Sequence, residues 1–361
     1  MSNPIVTINL VVLNGEKYIR HCLDSILAQT YARELIELNI LDNGSMDKTR
    51  EIIQGLEIRI SDLGFAKFNL IESKLNLGMW PGQEKLLKHS SGKYIVVMAV
   101  DVILDKDFIT NAVKKMEEDN GVGALQAKIY QFDIQKFEAG NWKPEADIID
   151  TCGFQIFKSR RIINIGHGER DIGQFNQEKE VFAVEGAVPV FRKDALESLK
   201  IEIQPQSYSK VESRIEIVDH DYFWYGDDLD IAWRMRVFGW KQLFVPHVIA
   251  WHDRQTTKNL RKTFTDFLKT RRRLSLQKRR LEWRNIRFTI IKNDYTINIL
   301  KDLPYILKRE IMMLGYLIIF EPKVLAEVPT LLRLLPKMLR KRKEIMKRRV
   351  ANHREMRKWF E

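Results

Sequence analysis

Residues 5–15 read IVTINLVVLNG. Positions 5–13 are a near-continuous apolar run, the pattern of a central parallel strand buried on both faces. Asn14-Gly15 then stops the run with two turn-forming residues.

Residues 18–29 place Ile19, Leu23, Ile26 and Leu27 at helical spacing. Residues 35–41 (LIELNIL) predict a second strand ending in Asp42-Asn43-Gly44-Ser45, with a second helix beginning over 47–53. A short third strand is expected at 68–71 (FNLI), and a helix carrying Leu86 and Leu87 ends at Ser90-Ser91-Gly92. Residues 94–98 (YIVVM) predict a fourth strand, followed by Asp101. Strands alternating with helices over short connections predict an α/β fold with a mostly parallel central sheet and right-handed crossovers. Ligands of such sheets lie at the carboxyl ends of the strands. Asn14, Gly15, Glu16, Asp42, Asn76, Gly78 and Asp101 all fall at those ends. The chain has no GxGxxG opening its first helix and no GxxxxGK[ST] loop, which argues against a dehydrogenase or a P-loop enzyme.

The middle is less periodic. Residues 126–137 predict a strand that crosses or extends the sheet. Residues 152–173, with Gly153, Gly166, Gly168 and Gly173, predict a long loop with short strands. Strand character returns over 181–192 around Gly186, and 194–199 predict a short helix. Over 228–238, Leu229, Trp233 and Val237 stand four apart, which predicts a helix ended by Gly239. Residues 242–246 and 248–251 predict short strands leading to His252.

Asp227, Asp228 and Asp230 sit in YFWYGDDLDIAWRMRVFGW, residues 222–240, among aromatic and aliphatic neighbours. Two roles are open for the first pair. Carboxylates at a helix start satisfy free N–H groups and favour the positive helix end. Alternatively one faces a cleft, where it takes a proton from an incoming hydroxyl. Asp101 follows a buried strand, either as a turn cap or as a hard oxygen ligand for a divalent cation, with His252 as its partner. Asp42 heads an Asx-turn or recognises a base or ribose.

These segments resemble a family 2 glycosyltransferase with the nucleotide-sugar-binding GT-A fold. The resemblance rests on residues 5–16, on ILDNGSMDKT (40–49), on Asn76 to Gly78 before YIVVMAVDVILDKDFI, and on YGDDLDIAWRMRVFGWKQLFVPHVIAWH (225–252). It covers roughly residues 5–252 and implies a GT-A domain over 1–256, with a nucleotide-binding half to about 105 and an acceptor-binding half beyond. It implies that Asn14, Glu16, Asn76 and Gly78 line the donor, and that Asp42 contacts its base. Asp101 and His252 are implied to hold Mn2+ or Mg2+ against the diphosphate. Asp228 is implied to be the base of an inverting transfer, with Asp227 helping to hold the acceptor. Trp233 is expected to pack, and Arg234 to reach phosphate or solvent. Residues 150–177 and VEGAVPVFRKDAL are similar to a rhamnosyltransferase-like branch of cell-surface polysaccharide synthesis, implying a UDP- or dTDP-sugar such as dTDP-rhamnose. Gly186 is then expected to permit close approach of a sugar, or merely tight strand packing. His167, Glu169, Arg170 and Asp171 sit over the donor or form a surface ion network. One departure stands out: the family carries an acid or asparagine two positions before Asp101, and this chain has Ala99.

Charge is unevenly spread. The chain of 361 residues carries +12, while residues 261–361 hold 28 basic and 10 acidic side chains. Residues 257–361 are therefore expected to form a basic amphipathic helical region. Its charge suits a solvated helix face, nucleic acid, or an anionic leaflet with Trp283, Tyr316 or Trp359 at the interface. The resemblance favours the leaflet, because saccharide acceptors of such enzymes are carried on polyprenyl diphosphate; no recognition module points to nucleic acid. The N-terminus lacks a signal-peptide pattern, and Cys22 and Cys152 suit buried thiols in a reducing compartment. A cytoplasmic enzyme at the inner membrane face is expected, with homo-oligomerisation open. The rival classes are a catalytically degenerate sugar-nucleotide-binding scaffold, suggested by Ala99, and a nucleotidyltransferase, which lacks a basic glycine-rich loop here.

Overall fold

A computed structural model of the chain describes residues 4–61, 64–139, 148–203, 214–254 and 264–361. The first half alternates as expected: β1 (Val6–Val12), α1 (Ile19–Leu27), β2 (Ile36–Asp42), α2 (Thr49–Ser61), β3 (Lys67–Glu72), α3 (Met79–Leu87) and β4 (Tyr94–Ala99). Every residue of β1 and β2 is buried. These strands run parallel, in register from Val6↔Ile36 and Val6↔Tyr94. Ile8, Leu10 and Val12 point into the main core, while Val11 and Leu41 meet Leu86 of α3 on the opposite face.

An unexpected buried polar line crosses that second face. Asn9, Asn39 and Asn69 stand side by side on β1, β2 and β3. Asn39 donates to Asn9 Oδ1 at 3.0 Å, Asn69 donates to Asn39 Oδ1 at 2.6 Å, and Asn9 donates to Ser90 Oγ at 3.1 Å. A buried amide tolerates this position only because its neighbours satisfy it. The line also fixes register, since a one-residue slip would break every bond in it.

Next come β5 (Val102–Leu104), α4 (Phe108–Glu118), β6 (Val122–Gln131), α5 (Ile134–Glu138), β7 (Ile149–Thr151), β8 (Phe154–Ile156), β9 (Ile162–Asn164) and β10 (Lys179–Glu180). The strand expected over 126–137 therefore starts earlier and ends at Gln131, because Asp133 caps a helix by accepting from Gln135 and Lys136 N–H. After these follow β11 (Val190–Arg192), α6 (Lys193–Ser198), β12 (Ile201–Ile203), β13 (Arg214–Glu216), α7 (Asp227–Val237) and β14 (Lys241–His252). The strand expected over 181–192 is reduced to β11. Its earlier residues bond to side chains instead, with Val184 N–H on Gln242 and Glu185 N–H on Gln126. The two strands expected around Pro246 are one strand whose pairing with β6 shifts between Val245 and Ile249. Proline lacks the ladder donor, so it sits at the irregularity.

The main sheet has ten strands, ordered β10-β14-β6-β11-β4-β1-β2-β3, with β5 on β14 and β7 on β6. It is mixed: β11 runs antiparallel between β4 and β6, while β14 and β6 are parallel.

The basic C-terminal stretch folds as α8 (Phe264–Arg273), α9 (Leu276–Asn293), α10 (Thr296–Lys301), α11 (Leu303–Phe320), α12 (Val328–Lys347) and α13 (His353–Arg357). The expected division at 256/257, and Arg261 to Thr263 of the basic stretch, lie outside the described residues. α9 packs on α7 and on α12. Part of the positive charge is spent on acids of the preceding body. Lys292 bridges Asp219 and Asp230 at 2.6 and 2.9 Å, and Lys341 reaches Asp219 at 2.5 Å. Arg160 lies fully buried between Asp294 and Asp302. Phe360 closes the packing against Phe182 and Trp233. Trp359 stacks on Arg236 and Trp283 on Arg287, each about 4 Å away, and Tyr316 bonds Glu321. The three aromatics expected at a membrane interface thus have partners within the protein. No helix among the described residues is long and apolar enough to cross a membrane.

Candidate active site

The loops after β1, β2 and β3 are knotted together at the carboxyl edge of the sheet. Asn14, at φ 51°, donates its N–H to Ser45 Oγ at 2.9 Å and accepts from Met46 N–H at 2.8 Å. Glu16 accepts from Lys48 N–H at 3.2 Å. Asn76 accepts from Asn43 and from Gly78 N–H, at 3.1 and 2.9 Å. Gly78 has φ 92°, and a Cβ there would lie 2.1 Å from Phe223 O, so only glycine fits. Asn14, Glu16, Asn76 and Gly78 are therefore brought together mainly as the frame of this edge.

Of the two roles open for Asp42, the Asx-turn is the one seen here. Its side chain is fully buried; Oδ1 accepts from Ser45 N–H at 2.9 Å, and Oδ2 is gripped by Arg50 at 2.9 and 3.1 Å. The Asx-turn is present, and the carboxylate is already committed. Arg50, 42% exposed, is the group presented outward.

Further along the edge, β5 pairs with the end of β14 and sets Val102 opposite His252. This brings Asp101 Oδ2 to 3.4 Å from His252 Nε2. The other ring nitrogen, Nδ1, lies 2.9 Å from Asp150 Oδ2. Asp150 also accepts two bonds from Arg254, and Arg254 reaches on to Glu185 at 2.7 Å. Glu185 is followed by Gly186, whose N–H supports the Asp228 carboxylate. A Cβ on Gly186 would meet Asp228 Cβ at 2.9 Å, so this glycine makes room for the carboxylate. Asp101, His252, Asp150, Arg254, Glu185 and Asp228 form one continuous string. Asp150, Glu185 and Arg254 were not singled out from the sequence. Glu185 carries the same mark as Asp227, an acid inside the apolar run VFAVEGAVPVF.

The string has strong internal electrostatics. Burial opposes charge on His252, but Asp101 and Asp150 outweigh it and raise the imidazole to about 10. Burial likewise opposes ionisation of Asp150, and Arg254 with His252 holds its carboxyl well below the usual range. Burial and the charge of Glu185 push Asp228 up to about 6, against the pull of Leu229 and Gly186 N–H and of Arg254. Burial and the neighbouring Asp228 drive Asp227 well above the carboxylate range. Neither aspartate is the helix cap: the N-cap is Gly226, and Asp227 Oδ2 is buried with no hydrogen-bond partner. Arg234 and Trp233 are both buried, with Arg234 donating to Leu199 and Ile217 carbonyls rather than facing a phosphate or solvent.

His167 Nδ1 lies 2.7 Å from the Asp150 carbonyl oxygen, beside the string. Asp171 accepts from Lys128 and Tyr130, an ion network away from it. No cluster of three or more His, Cys, Asp or Glu arranged for a metal occurs among the described residues. Asp101 and His252 fit a site completed by the ligand, once a cation displaces the Nε2 proton of His252: one carboxylate, one imidazole oriented by a second carboxylate, and oxygens of a bound phosphate.

A family model described as Glycosyl transferase family 2 matches residues 7–199, just over half of the chain. Glycosyltransferase GlyA of Streptococcus pneumoniae is 31% identical over 113 residues, 31% of this chain and 15% of that protein. A dolichyl N-acetyl-alpha-D-glucosaminyl phosphate 3-beta-D-2,3-diacetamido-2,3-dideoxy-beta-D-glucuronosyltransferase of Methanococcus voltae is 27% identical over 131 residues, 34% of this chain and 40% of its own. The chain thus spans well under two thirds of the length of these relatives. Among solved structures, the mannosyltransferase PcManGT from Pyrobaculum calidifontis, in complex with GDP-Man and Mn2+, matches with TM-score 0.53 at 15% identity, over 96% of this chain and 86% of that one. GalNAc-T7 with UDP, GalNAc and Mn2+ matches with TM-score 0.54 at 13% identity, over 80% and 50%. At these identities the likeness is one of fold.

Proposed function

The chain belongs to glycosyl transferase family 2, and we propose that it is an inverting, metal-dependent enzyme that moves a sugar from a UDP- or dTDP-sugar to a hydroxyl of a saccharide or polyprenyl-linked saccharide. dTDP-rhamnose is the first donor to try. The observation that carries this proposal is the single string from Asp101 and His252 to Asp228. It brings Asp101 and His252, the pair that would hold a cation, onto one edge of the sheet with Asp228, whose carboxyl burial and Glu185 push up to about 6. Asp228 takes the proton of the acceptor hydroxyl, whose oxygen attacks the anomeric carbon as the bond to the diphosphate oxygen breaks. One displacement inverts the centre. Asp227, whose ionisation burial and the neighbouring Asp228 oppose, helps to hold the acceptor. Asp101 and His252 would hold Mn2+ or Mg2+, which would supply positive charge against the leaving diphosphate. Residues to about 105 bind the nucleotide and 106–256 the acceptor. Asn14, Glu16, Asn76 and Gly78 shape the donor loops, and Asp42 meets the base only if Arg50 releases it.

The test is release of nucleoside diphosphate from UDP-, dTDP- and GDP-sugars with Mn2+ or Mg2+. The expected result is metal-dependent turnover of one donor, with Asp101→Ala weakening Mn2+-dependent donor binding about ten- to a hundredfold. If no nucleotide sugar binds under any metal condition, the chain is a degenerate scaffold, and Ala99 marks the lost contact. Release of inorganic diphosphate instead would identify a nucleotidyltransferase.

A second feature supports a membrane-bound acceptor. α11 exposes Ile311, Met312, Ile318 and Ile319 at 58 to 71%, with Leu300 exposed on α10 and Leu332 and Leu339 on α12. Lys301, Lys308, Lys323 and Arg340 are basic positions on the same stretch. We propose that this face lies in the headgroup region of an anionic leaflet on the cytoplasmic side. Expected in co-sedimentation is binding to phosphatidylglycerol vesicles, little binding to phosphatidylcholine vesicles, and loss in high salt. Burying one such side chain contributes about 2 kcal/mol, so Ile311→Ser weakens vesicle binding by about thirtyfold. If the wild type is instead a dimer that Ile311→Ser dissociates, the face belongs to a second copy.

A further inference from the structure

The C-terminal helices also reach the site. Asn285 of α9 donates to the carbonyls of Tyr222, Trp224 and Tyr225, at 3.1, 2.8 and 2.7 Å. It thereby clamps the segment just before Asp227. Phe223, Tyr225 and Gly226 in that segment all have positive φ, at 62°, 68° and 78°. Held in this way, the segment touches Gly78 through Phe223 O and carries Tyr225, whose phenol feels the charges of Arg254, Asp228 and Asp101. Strained backbone of this kind persists only where its surroundings over-determine it.

Lys278 lies over this segment, with Nζ 4.0 Å from the Tyr225 ring centre. The residue is 7% exposed and makes no ion pair among the described residues. Glu282, an acid on the same helix, is taken by Arg271 at 2.6 Å. Lys278 also stands in the first turn of α9, where Ser275 Oγ accepts its backbone N–H. A cation there opposes the helix dipole. Burial, with Arg254 and Arg271 nearby, outweighs the charge of Glu282 and pushes its ammonium down to about 7. In the free protein this lysine is disfavoured by burial, by the helix end and by neighbouring positive charge. Its packing on two aromatic rings offsets part of that cost. A residue that breaks several local rules without full compensation belongs to a functional site.

We propose that Lys278 is a donor-binding residue that neutralises the diphosphate of the nucleotide sugar from the α9 side. The proposal rests on the nucleotide-sugar reading above. The anion supplies the partner that Lys278 lacks. It also accounts for a site short of one acid at Ala99: part of the neutralisation comes from a fixed ammonium. Residues 257–361 would then complete the donor site as well as hold the enzyme to its acceptor.

The test measures binding of UDP, dTDP and GDP with Mn2+, and of the matching nucleosides, by calorimetry and NMR titration, for wild type, Lys278→Met and Lys278→Arg. Wild type is expected to bind one diphosphate. Lys278→Met weakens that diphosphate about ten- to a hundredfold, the worth of a charge-assisted hydrogen bond. It leaves the nucleoside unchanged and melts at the same or a higher temperature. Lys278→Arg recovers part of the loss. Unchanged diphosphate affinity in Lys278→Met overturns the proposal. So does an equal loss of nucleoside and diphosphate with a lowered melting point, which marks a merely structural lysine. If wild type binds none of the three diphosphates, the nucleotide-sugar reading fails, and this proposal fails with it.

Discussion

Asp228→Asn is expected to give a folded protein that still binds its donor and transfers sugar about a thousandfold more slowly. General-base removal costs about a hundred- to ten-thousandfold. The asparagine is nearly isosteric and still accepts from Leu229 N–H, at 2.8 Å in the wild type, so geometry is kept while the proton acceptor is lost. The acid limb of the rate profile provides an internal check. Burial and Glu185 hold Asp228 at about 6, so wild-type turnover should halve near that pH and fall tenfold per unit below it. The variant should lose this limb. Stability should move the opposite way. A carboxyl whose folded pKa is raised contributes stability below its unfolded value, and that contribution is lost as pH rises through about 6. At neutral pH the folded wild type therefore carries an ionisation cost of about 3 kcal/mol, which asparagine removes. The variant should melt ~2–4 °C higher. A variant that keeps more than a tenth of the activity, or one that melts lower, would mean that Asp228 packs the helix start and moves no proton.

The aspartates draw attention in the sequence because they stand in apolar company, but that company leaves a helix-start role equally open, and the base role expected of Asp228 comes from the resemblance of the segment around it. The parallel strands are legible because a strand buried on both faces shows as a continuous run, as in β1 and β2. Their ends then locate Asp101, Asn76 and Gly78. What the sequence conceals is partnership. Asp150 lies on short β7, 102 residues from the histidine that it orients, and Arg254 follows that histidine with no pattern to mark it. Asp42 reads as an Asx-turn head or a ligand and is held by Arg50, only eight positions away. Arg50 falls on a helix face where a basic residue is ordinary. Lys278 reads as one more charge in a basic run, KTRRRLSLQKRR. Periodicity reports which side of an element is buried, whereas these residues matter for what they meet across the fold.

Arg254→Met is expected to cost about 3–5 kcal/mol of stability, the usual effect of removing one partner from a buried ion pair. Against a typical total of about 5–15 kcal/mol this is a large fraction. Arg254 joins the two halves of the string. It donates to Asp150 at 2.8 and 3.0 Å and to Glu185 at 2.7 Å, with its own side chain 15% exposed. Without it, Asp150 keeps His252 and Glu185 keeps the Ala187 N–H, and both carboxylates carry charge with too little to balance it. Urea denaturation of the two proteins across pH gives the sign. The folded-state pKa of Asp150 is depressed, chiefly by Arg254 against the effect of burial. Its contribution is therefore present above the ordinary aspartate value and is lost as pH falls below it. The gap between wild type and variant should be full at neutral pH and narrow below about pH 4. Arg254→Lys should recover only part, because one ammonium cannot hold Asp150 through two donors while reaching Glu185. The substitution should also reach the chemistry. Arg254 pulls the Asp228 carboxyl down and Glu185 pushes it up, so removing the guanidinium moves the acid limb of any remaining activity above 6. A variant with unchanged denaturation would mean that water already solvates Asp150 and Glu185. The string would then be a row of separate charges, and Asp228 could not be tuned from the Asp101–His252 end.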